Sequence, residues 1–463
     1  LMVKNSKNPT EGPERERGKQ SRRKKFHLII FGCQMNYSDS ERLTTVLKKI
    51  GYTETKQEAE ADLIAIVACS VKQAAVDRIH SKIHKRQITK ETRPLITILS
   101  GCVLDADKKK LAHQFDLFID IKNLENLADD IANIHPEEKL ALPNFFDISP
   151  SYGSDYRAYV PIMTGCNKFC SYCAVPYTRG RETSRPSKHI INEVQKLLDK
   201  GYKEIVLLGQ NVNSYGLDKK AEGPEQSRRN KEISFPELLK KIDSLSNHFW
   251  LKFLTSHPYD MSDELITTMS KCKNLNDYLH LPVQCGSDEV LKKMNRHYTV
   301  AEYKKLIKKI KKQIPGMTLS TDIIVGFCGE SDKDFEATKK LVKDVDYNLM
   351  YISQYSTRIG TVAAKMHKDD VPKAIKKERW QIMNDQLTIQ SLAFNKNLIN
   401  QKREVLIDIV KQDDKQKNIF INIGKLSNYL PVYIENNKSL KIGEFYQVEI
   451  TEALDWGVKA KLI

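Results

Sequence analysis

From Lys25 onward the chain alternates short apolar, β-rich runs with longer stretches whose apolar residues recur at helical spacing. The runs Phe26–Phe31, Leu63–Ala68 and Leu95–Leu99 predict strands, and Ser38–Ile50, Gln73–Arg86 and Asp107–Phe115 predict helices between and after them. Strands alternating with helices imply βαβ units on a parallel sheet. Pro143 and the Ser/Gly/Asp-rich stretch Ser149–Asp155 end this first series.

A second series follows, with strands expected at Ala158–Met163, Glu204–Leu208, Trp250–Thr255, Tyr278–Leu281, Thr318–Ile324 and Leu349–Ser353. Helical stretches separate them, among them Lys188–Lys200, Ser262–Ser270, Ala301–Gln313 and Asp332–Val345. About six such units predict a full or partial β/α barrel. A helix around Lys373–Asn397 leads into a tail of a different character. Its short alternating runs, Arg403–Val410, Asn418–Ile423, Leu430–Ile434, Phe445–Thr451 and Val458–Ile463, predict a small antiparallel barrel. The expected fold class is therefore α/β: a disordered basic arm over 1–24, a parallel α/β domain over 25–145, a β/α barrel over 152–384, and a small β-barrel with its leading helix over 385–463. The words Glu11-Gly12-Pro13-Glu14 and Gln20-Ser21-Arg22-Arg23 return fused at Glu222–Arg229, both times in polar stretches outside any core.

Composition adds a partner class. Lys and Arg number 75 against 59 Asp and Glu, a net charge of +16, which favours a polyanion such as nucleic acid. An apolar fraction of 40% excludes wholesale disorder. The longest apolar runs, Leu63–Cys69 and Ile205–Leu208, fall far short of the ~20 residues of a membrane span, and no apolar stretch follows Lys4, Lys7, Arg15 and Arg17. A cytoplasmic protein without a membrane partner is expected. Its nine cysteines, an odd number, argue against a disulfide framework and for metal binding, cofactor binding or catalysis.

Cys33, Cys69 and Cys102 each fall just past the carboxyl end of an expected strand, one βαβ unit apart. In a parallel sheet those ends share one edge, where ligands bind, so the three thiols are expected to converge. The alternative is three unrelated buried cysteines. Cys166, Cys170 and Cys173 form a C-x3-C-x2-C run after the first barrel strand, where β/α barrels place their active sites. Three thiolates at this spacing can hold a 4Fe–4S cluster and leave one iron open, since full protein ligation normally takes four. Structural zinc would need a fourth protein ligand, and the nearest downstream histidine, His189, lies across a proline and a helix start. Cys272, Cys285 and Cys328 read as small buried hydrophobes.

The run Gly165-Cys166-Asn167-Lys168-Phe169-Cys170-Ser171-Tyr172-Cys173 resembles the radical S-adenosylmethionine (SAM) superfamily. Gly32-Cys33-Gln34-Met35-Asn36, Pro176-Tyr177-Thr178-Arg179-Gly180-Arg181, Leu208-Gly209-Gln210-Asn211-Val212-Asn213, Thr255-Ser256-His257-Pro258 and His280-Leu281-Pro282-Val283-Gln284 narrow the likeness to the methylthiotransferases. Within them the chain most resembles the branch acting on N6-(dimethylallyl)adenosine, also called N6-isopentenyladenosine, of tRNA. The likeness runs from about Lys25 to Tyr355, with a weaker fit in the tail.

The resemblance implies a methylthiotransferase domain, a radical-SAM core and an RNA-binding TRAM domain. It implies two 4Fe–4S clusters as cofactors, together with SAM. Cys166, Cys170 and Cys173 would hold the cluster that cleaves SAM, and Cys33, Cys69 and Cys102 an auxiliary cluster that supplies or presents sulfur. Gly209, Gln210, Asn211, Gln284 and Gly326 would contact SAM, the glycine of Ile324–Glu330 letting the backbone approach the adenine. Arg179 and Arg181 would face SAM or RNA phosphate, or else solvent. The reaction would place sulfur on carbon 2 of the base and methylate it, giving 5′-deoxyadenosine, methionine and S-adenosylhomocysteine. Partners would be the tRNA anticodon stem-loop and an electron donor such as flavodoxin or ferredoxin, with the enzyme a monomer. Tyr429, Tyr433, Phe445 and Tyr446 are the rings expected to stack on RNA.

Rival substrates within the class are N6-threonylcarbamoyladenosine of tRNA and a ribosomal-protein aspartate. Gln34-Met35-Asn36 favours the dimethylallyl branch, because the ribosomal branch reads Pro-Lys-Asn there. A rival of another class is a non-catalytic Fe–S RNA-binding protein, against which all six ligands stand. Val67-Ala68, Lys72, Cys328 and Ile359 depart from the usual pattern without removing a ligand.

Overall fold

The computed structural model describes residues 24–69, 77–79, 95–134, 145–218, 233–246, 248–413, 416 and 419–463. Residues 1–23 of the expected arm over 1–24, most of the expected helix Gln73–Arg86, Lys72, Pro143 and both copies of the repeated words lie outside them.

The first domain is one parallel sheet of β1 (Lys25–Phe31), β2 (Thr53–Glu54), β3 (Leu63–Cys69), β4 (Ile96–Cys102) and β5 (Leu117–Ile119), in the order β2-β1-β3-β4-β5. All seven residues of β3 are buried, which is why Leu-Ile-Ala-Ile-Val-Ala-Cys reads as a continuous apolar run rather than an alternation. The structure corrects one expectation. Cys69 and Cys102 are the last residues of β3 and β4, not loop residues beyond them, and they are register partners. The helix Gln34–Lys49 starts four residues earlier than expected, at the Cys33 cap, because the Asn36 side chain accepts the Cys33 N–H (3.2 Å) and supplies a cap that composition does not announce.

The core carries six parallel strands in two runs. β6 (Arg157–Pro161), β9 (Glu204–Leu208) and β10 (Trp250–Phe253) form one, β11 (Tyr278–His280), β12 (Thr318–Val325) and β13 (Leu349–Gln354) the other. A single parallel bridge, Leu251 to Leu275, joins them into a partial barrel. Between β6 and β9 lies a two-stranded antiparallel ribbon, β7 (Met163–Thr164) and β8 (Thr183–Ser184). Ile205 and Leu207 of β9 pack outward under the helices with Ile190, Leu238 and Leu319. Val206 and Leu208 face the other way and pack on Met35 from the first domain's helix. That helix also donates from Ser38 Oγ to the Tyr159 carbonyl of β6 (3.2 Å). The helices are capped by the residues their sequences offer: Ser234, Thr299 and Ser331 each form a capping box with Glu237, Glu302 and Asp334.

The tail is a closed five-stranded barrel of β14 (Lys402–Gln412), β15 (Phe420–Lys425), β16 (Pro431–Asn436), β17 (Phe445–Leu454) and β18 (Gly457–Leu462). Four pairings are antiparallel as expected, and the fifth, β16 with β18, is parallel and closes the ring. It docks on the amino-terminal ends of the core strands, touching the first residue of five of them. Asp408 pairs with Arg157 (2.6 Å), Lys425 with Glu204 (3.0 Å), Phe445 packs on Trp250, Tyr429 on Tyr278, and Asn428 Nδ2 donates to Thr318 Oγ1 (3.1 Å). Two of the four rings expected to stack on RNA are thus spent on docking. Tyr446 packs against the small barrel's own core and its hydroxyl accepts the Lys441 N–H (3.0 Å). Trp456, at the turn between β17 and β18, is instead the exposed ring.

Candidate active site

The ribbon β7–β8 is the base of the loop that carries Cys166, Cys170 and Cys173. Gly165 leaves it at φ +82°, and a Cβ there would stand 2.0 Å from the Arg181 carbonyl oxygen, so only glycine fits. The Cys166 N–H donates to the Gly180 carbonyl (3.2 Å), and the Cys173 N–H to the Cys170 carbonyl (2.9 Å). Two donors already point at sulfur: Val175 N–H at Cys173 (3.4 Å) and Arg296 Nη1 at Cys170 (3.4 Å). Burial, together with neighbouring Cys170, pushes the Cys166 thiol up to about 11 and the Cys173 thiol up to about 12. Lys168 inside the loop pairs with Asp260 (2.7 Å), which accepts from Asn211 Nδ2 (2.6 Å). The cysteine loop and the loops after β9 and β10 are thereby tied together.

The residues expected to contact SAM surround this loop, each with a definite local task. Gln210 Oε1 accepts the Gly165 N–H (2.6 Å). A Cβ on Gly209 would lie 2.6 Å from Met163 Cγ. Gln284 is buried at φ +76° and pairs with Ile323 across an isolated bridge. Gly326 lies at φ +69°, and the space its Cβ would take belongs to Lys376, whose Cγ would stand 2.3 Å from it. Phe169, Thr255 and Gln284 all have φ between +49° and +76°, and all three lie at the carboxyl-end mouth of the barrel. Such conformations are uncommon outside glycine and cluster at functional sites.

Several buried polar atoms at this mouth have no hydrogen-bond partner among the described residues: Thr164 Oγ1, Asn211 Oδ1, Asn213 Oδ1, Ser256 Oγ and His257 Nε2. His257 Nδ1 accepts the Tyr259 N–H (3.2 Å), so the neutral ring carries its proton on the unpartnered Nε2. Burial, with Arg296, Lys168 and His297 nearby, pushes its pKa down to about 2. A ring of unsatisfied buried donors and acceptors is the lining that a polar ligand completes. Inside the barrel, His280 contacts Ser320 Oγ (2.8 Å) and Asp322 (3.5 Å) beside the Tyr351 ring. The sequence reading did not single out this polar group, nor Lys168, Asp260 or Arg296. An odd–even split along β12, with Ser320 and Asp322 opposing Leu319 and Ile323, was the available signal.

At the edge of the first domain, Cys33 is exposed at its helix cap while Cys69 and Cys102 are buried. Asn36 fixes their spacing, donating from Nδ2 to the Ala68 carbonyl (3.3 Å) with its Oδ1 3.6 Å from Cys33 Sγ. Cys102 is held down at about 6 by its hydrogen bond with Cys69 and by the Arg179 guanidinium. Arg179 faces neither solvent nor an open cavity. It is buried, donates from Nε to Cys102 Sγ (2.9 Å), and pairs with Asp39. Arg181 stacks over Phe169 of the cysteine loop, 4.3 Å from the ring centre.

Of the remaining cysteines, Cys285 and Cys328 are buried among Phe327, Tyr355 and Leu291, as expected, and Cys272 is half-buried. Val67 and Ala68 are interior to β3, and Ile359 is exposed. Among the described residues no three His, Cys, Asp or Glu side chains close on one metal ion.

The radical SAM superfamily model matches residues 160–342, Uncharacterized protein family UPF0004 matches 25–120, and the TRAM domain matches 398–463. A radical S-adenosylmethionine methyltransferase from Kitasatospora setae, solved with cobalamin and a [4Fe-4S] cluster, superposes with a TM-score of 0.53 at 12% identity over 74% of each chain, a likeness of fold alone. Fold and cysteine loop together make this a radical-SAM enzyme, and the superfamily's SAM and one 4Fe–4S cluster come with it. The tRNA-2-methylthio-N(6)-dimethylallyladenosine synthase of Clostridium botulinum strain Langeland is 39% identical over 92% of this chain and 94% of its own. Those of Dictyoglomus thermophilum and Thermoanaerobacter sp. strain X514 are 36% and 38% identical over 95% of this chain. The chain belongs to the tRNA-2-methylthio-N(6)-dimethylallyladenosine synthase family.

Proposed function

We propose that this enzyme inserts sulfur at carbon 2 of N6-(dimethylallyl)adenosine next to the anticodon of tRNA and completes the 2-methylthio group with a methyl from SAM. The observation that supports this most is the presence of two separate cysteine trios, one at the barrel mouth and one at the sheet edge, the second reached by Arg179, which follows the cysteine loop in the chain and bonds Cys102. Cys166, Cys170 and Cys173 would hold the cluster that binds SAM. Cys33, Cys69 and Cys102 would hold a second cluster. When bound, clusters and SAM supply the radical chemistry, and the protein's part is to bind, orient and shield.

Gly209, Gln210, Asn211, Gln284 and Gly326 would line the SAM site, and the Thr164, Ser256 and His257 atoms without a partner among the described residues would meet its polar groups. Gly326 shapes the wall by admitting Lys376. Buried His257 stays neutral at working pH, so it can donate a hydrogen bond without adding charge. The small barrel and the net charge of +16 support tRNA as the substrate. The reading includes domain limits of 25–145, 152–384 and 385–463, a monomer in the cytoplasm, and a flavodoxin or ferredoxin as electron donor. No helix among the described residues is long and apolar enough to cross a membrane.

The test is nucleoside mass spectrometry of tRNA from a deletion strain with and without the plasmid-borne gene. Loss of the methylthio group with the dimethylallyl group retained, and its return on complementation, is the expected result. An unchanged level, with methylthio lost instead from threonylcarbamoyladenosine or from a ribosomal aspartate, overturns the substrate assignment.

A further inference from the structure

Arg179 stands six residues after Cys173, at the end of the short helix Val175–Thr178 that starts beside the cysteine loop. Its backbone belongs to the barrel and its side chain to the first domain. Nη1 lies 3.3 Å from Asp39 Oδ1, and Nη2 bonds the other carboxylate oxygen. Asp39 is wholly buried and Arg179 is 3% exposed. A buried guanidinium–carboxylate fork already satisfies both charges, and needs no sulfur to do so. Yet the fork leaves Nε–H free, and its fixed plane aims that proton at Cys102 Sγ, 2.9 Å away. Main-chain contacts hold the same point: the Arg179 N–H donates to the Val175 carbonyl (2.8 Å), and Lys122 Nζ bonds its carbonyl oxygen.

Hydrogen bonds to ligand sulfurs and local charge set the potential of an iron–sulfur cluster, because the reduced cluster carries one more negative charge. We infer that Arg179 is a positioning residue that raises the reduction potential of the cluster on Cys33, Cys69 and Cys102 through its N–H···S bond to Cys102. Asp39 keeps the bond aimed. Since Arg179 is anchored beside the Cys173 loop, the bond exists only while the two domains are docked, so the auxiliary site is tuned by the barrel that carries the other cluster. The inference rests on the proposed cluster role of that trio.

The experiment uses the full chain with Cys166→Ala/Cys170→Ala/Cys173→Ala as background, reconstituted anaerobically. Iron content reports the cluster, and a redox titration followed by electron paramagnetic resonance reports its midpoint. In the background, about four irons per chain are expected. Fewer than about one overturns the cluster reading itself, and this inference with it. Adding Arg179→Gln is expected to keep the iron and lower the midpoint, and Arg179→Lys to lower it less. A role confined to holding the domains together predicts equal midpoints in all three proteins, and that result overturns the inference with the cluster reading intact. Should Arg179→Gln lose its iron, Arg179→Lys decides: a lowered midpoint upholds the inference and an unchanged one overturns it.

Discussion

Cys69 and Cys102 stand opposite one another at the final position of two paired parallel strands, β3 and β4, so the sheet itself fixes the separation of two of the three auxiliary thiols. Parallel neighbours in a sheet lie about 4.8 Å apart, which leaves that pair little freedom. Cys33, on a helix cap and tethered by Asn36, supplies the third position.

Cys33→Ala/Cys69→Ala/Cys102→Ala is expected to lower reconstituted iron from about eight to about four per chain. The variant should still release 5′-deoxyadenosine from SAM after reduction and form no methylthiolated nucleoside. Iron and sulfide analysis beside product chromatography checks both halves. Retention of about eight irons would falsify the assignment of this trio.

Lys168→Ala is expected to slow SAM cleavage by about 10–100-fold while leaving the iron content unchanged, since second-layer contacts around a metal site typically matter at that level. The reason is local: Lys168 is the loop's ion pair to Asp260, and Asp260 in turn holds Asn211. Single-turnover cleavage measured next to iron content separates this from loss of the cluster.

His257 imposes a pH slope on stability. Its folded-state pKa is pushed down to about 2, while the unfolded ring titrates near its ordinary 6.5. Between those values the unfolded chain binds one more proton than the folded one, so stability rises with pH across that window and is lost as pH falls below 6.5. The contribution is about 1.4 kcal/mol per pH unit. Urea unfolding of the apoprotein at pH 7, 6 and 5, compared with His257→Asn, should show the variant with the shallower fall. Equal slopes would remove His257 from the account.

Glu204→Gln is expected to destabilise the protein by about 3–5 kcal/mol, the usual cost of breaking a buried ion pair from one side. Glu204 is fully buried and serves Arg157, Lys252 (2.7 Å) and Lys425 (3.0 Å) at once, which holds its carboxyl well below the usual range. Because Lys425 comes from the small barrel, proteolysis between that barrel and the core should accelerate in parallel.

The sequence announced the longer strands of all three parts to within a few residues, and Glu204–Leu208 and the helix Asp332–Val345 to the residue, because strong periodicity and clear caps dominate there; the two- and three-residue strands β2, β5, β7 and β8 are too short to show a period. The six cysteines were legible as two sets because spacing relative to strand ends is written in one dimension. What stayed hidden is what folding brings together from afar. Arg179, expected to face SAM, RNA phosphate or solvent, is instead buried against Asp39, 140 positions earlier. Tyr429 and Phe445 read as RNA-stacking rings, whereas Tyr278 and Trp250 claim them. Gly326 signalled a close approach, and the side chain that approaches it, Lys376, lies 50 positions later in the chain.

The small barrel sits where the core strands begin, and the cysteine loop where they end. The longest of those strands, β12, has eight residues, roughly 26 Å of extended chain at ~3.3 Å per residue. The core is therefore a ruler. An RNA gripped by the tail and modified at the mouth would have to run along the flank over a distance of that order, so a hairpin trimmed to its loop is expected to lose the grip at the tail before it loses the fit at the mouth.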